Sequence, residues 1–271
     1  MQPGFFDLDS RHQQLEKLGD PLPKLAELVD WEGFRPLLDR IREKERKSTA
    51  GRKPYDVVLM FKILFLQSFY GLGDDQTEYQ IRDRYSFCRF LGLTPEGKVP
   101  DAKTIWLFRE ALKEADLIDG LFAELDGQIW AAGYRSRKGQ IIDASLIAAP
   151  RQRNSREENA KIKQGETPED WKENPAKLRQ KDVEARWTQK NGENHYGYKN
   201  HISIDNQHKL IRHFEVTSAS VHDSQVFDCL IDEENTSRSV WADSAYRSRS
   251  TEAWLEEEGY RSHIHTKGQA G

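Results

Sequence analysis

From residue 23 to about residue 132, apolar residues recur at intervals of three and four, the period of an amphipathic helix. LPKLAELVDW, WEGFRPLLDRIREKERK and PYDVVLMFKILFLQSFYGL all carry it. The third begins with Pro54 at a first helical position and stops at Gly71, and apolar side chains nearly encircle it. That pattern predicts the central, buried helix of a small bundle. DDQTEYQIRD after Gly73, PDAKTIWLFREALKEA capped by Asp101, and ADLIDGLFAELDGQIWAAG stopped by Gly133 predict three more helices.

At about residue 139 the period shortens. GQIIDASLIAA is a short apolar run, while YGYKNHISID and KLIRHFEVTSA alternate, with DNQ between them as a hairpin turn. VHDSQVFDCLIDEE is helical by spacing, RSVWAD reads as a strand, SRSTEAWLEEEG as a helix stopped by Gly259, and YRSHIHT as a short strand. The predicted order is therefore strand, insertion, strand, strand, helix, strand, helix, strand. Two domains are expected, a helical one over residues 1–132 and an α/β one over 139–271. The insertion, from about Pro150 to Asn194, holds eleven Lys or Arg against nine Asp or Glu without sustained periodicity, and is expected to be a solvated, mobile excursion.

Composition adds bounds. With 271 residues, 37% of them hydrophobic, the chain can build one large core or two ordinary ones. Its 41 basic and 45 acidic residues nearly balance, so only local charge can point to a polyanionic partner. RIREKERKSTAGRK, residues 40–53, does so: Arg40, Arg42, Lys44, Arg46, Lys47, Arg52 and Lys53 face two acidic residues, and STAGRKP reads as a flexible basic linker. Such a surface neutralises DNA phosphates. Arg52 and Lys53 are its candidate contacts, and Arg151 and Arg153, leaving the first strand of the second domain, are further ones. No helix-turn-helix signature stands out. Cys88 and Cys229, 141 positions apart with no companion ligands, suggest neither a disulfide framework nor structural zinc, and a reducing, cytoplasmic setting is expected. MQPGFFDLDS lacks the features of a signal peptide, and VVLMFKILFL, broken by Lys62, falls far short of the roughly 20 apolar residues of a membrane crossing, so no membrane partner is expected.

Two aspartates interrupt apolar strands. Asp243 follows Val240, Trp241 and Ala242, where a lone aspartate ordinarily caps whatever comes next. Asp143 in IIDASLI has apolar residues on both sides and is no terminal cap; an ionised carboxylate in a core strand is costly without a partner or metal. Asp243 repeats the arrangement 100 positions later, on a strand that a mixed sheet can lay beside the first. Both then project at one sheet edge with oxygens suited to hard divalent cations. Two Mg²⁺ ions roughly 3.5–4 Å apart can activate an attacking oxygen and stabilise a leaving one in phosphoryl transfer.

The element order is that of an RNase H-like mixed sheet. Six blocks then appear in one order: YGLGDDQTEYQIRDRYSFCRFLGL and VPDAKTIWLFR in the helical region, and IIDASLIAAP, HYGYKNHISID, VTSASVHDSQ and WADSAYRS after it. Through them the chain, over nearly everything after residue 50, resembles an IS5 family transposase of the DDE type. The resemblance implies an N-terminal helical DNA-binding domain and an RNase H-like catalytic domain. It implies Mg²⁺- or Mn²⁺-dependent cleavage and strand transfer at the ends of the protein's own element. Its partners would be double-stranded DNA, as terminal inverted repeats and target, and further copies of itself on that DNA, in a nucleoid-associated cytoplasmic protein. Asp143 and Asp243 would be catalytic acids and metal ligands, Tyr246 would shape the active site, and Lys199 and Arg247 would contact DNA. His201, His222 and Asp223 also match, and for these, as for Lys199, a structural reading as hairpin or helix-cap residues stays open.

The family's third acid, a glutamate on a helix past the last strand, has no counterpart before Gly271. Glu252, Glu256, Glu257 and Glu258 come too early and read as a solvated helix face. The expectation is a chain that binds DNA and metal without completing strand transfer. The alternative is a truncated, transposase-like regulator that occupies element ends and inhibits the full-length enzyme; a nuclease with a different metal set is disfavoured by the blocks in the helical region.

Overall fold

The computed structural model describes residues 7–42, 53–94, 96–150, 152, 154–178, 180–190 and 192–266. The chain divides into two compact units, Met1–Gly133 and Tyr134–Gly271.

Helices α1 (Asp7–Lys17), α2 (Leu22–Leu28), α3 (Arg35–Leu38), α4 (Val57–Phe69), α5 (Asp74–Asp83), α6 (Tyr85–Leu91), α7 (Ala102–Glu114) and α8 (Ile118–Ala131) build the first unit. As the pattern predicts, α4 is central, burying Val57, Val58, Met60, Ile63 and Leu66 against a core that includes Phe34, Phe87, Phe90, Ile105 and Leu112. Its start differs from the expected Pro54. The Asp56 carboxylate accepts from the amides of Val58 and Leu59, both at 3.0 Å, and so caps a helix beginning at Val57. The run from Trp31, predicted as one helix, breaks into a 3₁₀ turn at Glu32–Phe34, α3, and a second 3₁₀ turn at Asp39–Arg42. Gly33 is costly inside a helix, and Pro36 fits only a first turn, so the chain restarts around them.

A polar clamp joins three of these helices. Arg109 of α7 donates through both terminal nitrogens to the two oxygens of Asp74 on α5, each at 2.9 Å. Gln67 of α4 donates to Asp74 at 2.7 Å and accepts from Arg109 at 2.9 Å. The Arg109 guanidinium holds the Asp74 carboxyl below its ordinary value.

The second unit holds a six-stranded mixed sheet of β1 (Gln140–Ala148), β2 (Arg186–Lys190), β3 (Glu193–Asp205), β4 (Ile211–Ser218), β5 (Ser239–Ala242) and β6 (Arg261–Ser262). The order is β2-β3-β1-β5-β6, with β4 also paired to β3. Along its whole length β1 is antiparallel to β3, from Gln140↔Asp205 to Ala148↔Gly197. It is parallel to β5 only over Gln140↔Val240, Ile141↔Trp241 and Ile142↔Ala242. Ile142, Val226, Phe227, Leu230, Val240, Ala242, Tyr246 and Ile264 form the core, with Leu255 from the amphipathic helix Arg249–Glu257. The fold is thus an open mixed α/β unit beside a helical region in sequence.

Two expectations change here. VHDSQVFDCLIDEE forms not one helix but two 3₁₀ turns, Asp223–Gln225 and Asp228–Leu230. The His222 ring takes the Ser224 amide, a local bond that competes with helix propagation, while Val226, Phe227, Leu230 and Ile231 pin the segment into the core. The insertion is not a bare solvated excursion. It carries α9 (Arg156–Lys163), α10 (Glu169–Lys172), α11 (Pro175–Leu178) and strand β2, so Arg249–Glu257 becomes α12. A Ser155–Glu158 capping box starts α9, and Trp171, fully buried, donates its indole N–H to Glu158 at 2.8 Å. One aromatic side chain organises a segment too short to display periodicity.

Gly139 lets β1 enter close beside β5. Its φ is +85°, and an added Cβ would lie 2.4 Å from the Ser239 carbonyl oxygen and 2.6 Å from the Trp241 ring. Gly139→Ala is expected to lose on the order of 2–3 kcal/mol in urea unfolding of the second unit's transition. The Asp74 clamp should show in pH dependence. Because its folded pKa is depressed, its stabilisation is present above the unfolded value near 4 and is lost as pH falls through the folded value. Asp74→Asn should therefore lower the melting temperature at pH 7 and shrink the further loss that the unmodified protein suffers between pH 5 and pH 3.

Candidate active site

The parallel pairing ends at Ile142↔Ala242, and the next residue on each strand is an aspartate, Asp143 on β1 and Asp243 after β5. Neighbouring strands lie about 4.8 Å apart, so the backbones of the two aspartates emerge close together where the ladder ends. Asp143 is exposed and Asp243 half-buried. This corrects the premise that Asp143 sits in a core strand. Alternation turns Ile142 into the core and Asp143 to the other face, and β5 has stopped where Asp143 begins. No desolvation penalty has to be offset there.

Each carboxylate is oriented by a backbone amide. Asp143 Oδ1 accepts from the Ala144 N–H at 2.7 Å, and Asp243 Oδ1 from the Ala245 N–H at 2.8 Å. Among the described residues no hydrogen bond or ion pair engages either Oδ2. Asp243 also opens a turn closed by the Tyr246 N–H donating to its carbonyl at 3.3 Å.

That turn brings Tyr246 down into the core, fully buried, with its ring 6.1 Å from Phe227. Its hydroxyl meets His201 Nδ1 at 2.9 Å, and His201 Nε2 meets Thr217 Oγ1 at 3.1 Å. His201 is fully buried on β3, opposite Ala144, the residue after Asp143. Burial pushes its pKa down and keeps the ring neutral. Burial pushes the Tyr246 phenol far up, and the fields of Asp223, Asp143 and Asp243 push it further. Three carboxylates therefore act on one hydroxyl.

Two family models match this chain. Residues 10–111 match the Transposase domain (DUF772), and residues 134–271 match the Transposase DDE domain. The chain belongs to the DDE transposases. No solved structure matches it. Transposase domains imply DNA as the partner, and DDE transposase domains generally depend on a divalent metal. Among the described residues no single helix is long and apolar enough to cross a membrane.

Against that chemistry, the donor set at the transposase's sheet edge is two aspartates with one uncommitted oxygen each. Hard carboxylate oxygens suit Mg²⁺ or Mn²⁺. No group of three His, Cys, Asp or Glu able to hold a metal ion occurs among the described residues. Two carboxylates suit part of the coordination shell of such a cation.

The remaining candidates scatter. Lys199, also on β3, donates to Asp223 Oδ1 at 2.6 Å and to the Val221 carbonyl at 2.7 Å, its side chain 15% exposed and that of Asp223 14%. Its ammonium is engaged within the fold, where the sequence had left a DNA contact and a structural role open. Arg247 ties the Asp243 turn to the end of the chain, donating to the Ile264 carbonyl at 3.0 Å and pairing with Glu252 at 3.3 Å, while 38% of its side chain stays exposed. Lys53 is exposed in the first unit. Arg52, Arg151 and Arg153 lie outside the described residues. Thr217 went unnoticed in the sequence, where a threonine in an alternating strand carries no distinguishing signal; Asp223 was visible in VHDSQ, with a direct role and a structural one both left open.

The Lys199–Asp223 pair gives a direct test. Lys199→Ala leaves a largely buried carboxylate without its cation and should cost the transposase about 3 kcal/mol in chemical unfolding, with Lys199→Ala/Asp223→Ala recovering much of that loss.

Proposed function

We propose that the protein is an IS5-type transposase in which Asp143 and Asp243 are the metal ligands and catalytic acids for cleavage of DNA at the ends of its own element. The observation that carries this reading is their position as the next residues beyond the last paired positions of parallel strands β1 and β5. Mg²⁺, or Mn²⁺ in its place, would be held there; when bound, it would activate an attacking oxygen and stabilise the leaving oxygen of a phosphodiester.

The chain's own residues set the conditions. Ala144 and Ala245 amides orient one oxygen of each aspartate, and the other would be available to a cation. The second unit is read as an RNase H-like catalytic domain and the first as the DNA-binding domain. Phosphates would be neutralised by Lys53 and Arg52, by Arg151 and Arg153, which follow β1 in sequence, and by the exposed part of Arg247. Lys199, committed to Asp223, is read as structural support for this edge. The substrates would be terminal inverted repeats and target DNA, bound by a homo-oligomer.

Asp143→Asn and Asp243→Asn should each abolish Mg²⁺-dependent nicking of a DNA fragment carrying element ends while leaving binding of that fragment within about twofold. Nicking that survives either substitution removes the assignment. Arg52→Ala/Lys53→Ala should weaken binding and reduce the slope of log K against log salt by about 1–2, since each phosphate contact contributes roughly 0.9.

A further inference from the structure

Past Ile142↔Ala242 no ladder bond ties β1 to the turn that carries Asp243. The spacing between the two carboxylates then depends on what holds that turn. Resting on the metal-binding reading of the aspartates, we propose that His201 is a positioning residue, which through its Nδ1 bond to the Tyr246 hydroxyl fixes the Asp243 turn to the strand alongside Asp143.

The connection forms a closed ring. Asp143 lies on β1, and β1 is paired over nine positions with β3. His201 of β3 reaches the Tyr246 hydroxyl at 2.9 Å. Tyr246 closes the turn on Asp243 through its own backbone N–H. Asp243 follows β5, which returns to β1 through the parallel pairing. The second ring nitrogen of His201 reaches Thr217 on β4, so the imidazole cannot rotate without losing a bond. A neutral imidazole has one donor and one acceptor, and both hydroxyls can supply the complement. The ring and the phenol are fully buried, so water offers no substitute for either bond. None of these atoms needs to touch DNA or metal.

Side-chain shape provides the test. An asparagine amide falls near the Nδ1 position of histidine and a glutamine amide near Nε2, so His201→Asn keeps a partner for Tyr246 whereas His201→Gln keeps one for Thr217. Mn²⁺ affinity of the full chain is read by electron paramagnetic resonance, with thermal melting as the check on folding. Tyr246→Phe and His201→Gln should each weaken Mn²⁺ binding by about tenfold, the usual scale for residues that orient metal ligands. His201→Asn should stay within about threefold of the unmodified protein, and Tyr246→Phe combined with His201→Gln should lose little more than either alone. Asp143→Asn separates the two levels of the argument. If the unmodified chain binds no Mn²⁺, or Asp143→Asn binds it equally well, the metal-site reading falls and takes this proposal with it. If Asp143→Asn abolishes binding while Tyr246→Phe, which removes a single oxygen, binds like the unmodified protein, or if Asn and Gln at 201 behave alike, the positioning role alone is overturned.

Discussion

A parallel ladder three residues long, between β1 and β5, is the constraint on which the second unit's chemistry depends. It is short because β5 spans only Ser239–Ala242, and it exists because Gly139 admits the Ser239 carbonyl where any side chain would collide. Slipping the register by one residue would turn Ile142 out of the core and Asp143 into it, exchanging an apolar contact for a buried charge. Core packing and the placement of the acids are therefore the same requirement. Ile142 and Ala242 supply the burial, and the aspartates follow from it.

Around that edge the fold uses polar side chains as fasteners. Lys199 and Asp223 join β3 to the segment after β4; His201 joins Tyr246 to Thr217; Arg247 joins the turn to the Ile264 carbonyl. Lys199, Asp223, His201 and Tyr246 are largely buried, where an unmade bond would be costly, while Arg247 stays partly exposed. The first unit uses the same device in the Gln67–Asp74–Arg109 clamp. Such networks specify one arrangement where hydrophobic contacts alone would tolerate several.

Legibility in the sequence followed the length and regularity of each element. The α4 helix was readable from its thirteen residues, ten of them apolar, and α7 from its cap, since Asp101 accepts from the Thr104 amide at 2.7 Å as its place before the run implied. Strands β1, β3 and β4 were readable from runs of eight residues or more. Short elements were not. The helix expected at VHDSQVFDCLIDEE became two single turns, and the insertion's structure hangs on Trp171, whose burial no local pattern announces. Its capping box, Ser155 with Glu158, was the one signal available there.

The sequence by itself determined the family, through blocks in a fixed order, and marked Asp143 and Asp243 as out of place among apolar neighbours. Tertiary structure alone decided what those aspartates experience: Asp143 turned out exposed, because exposure depends on where a partner strand 100 positions away stops. It alone also decided that Lys199 is bound to Asp223 and that His201 meets Tyr246. Residues distant along the chain meet only when the sheet assembles, and a single sequence, however regular its periods, carries no direct record of which of its polar groups will become neighbours.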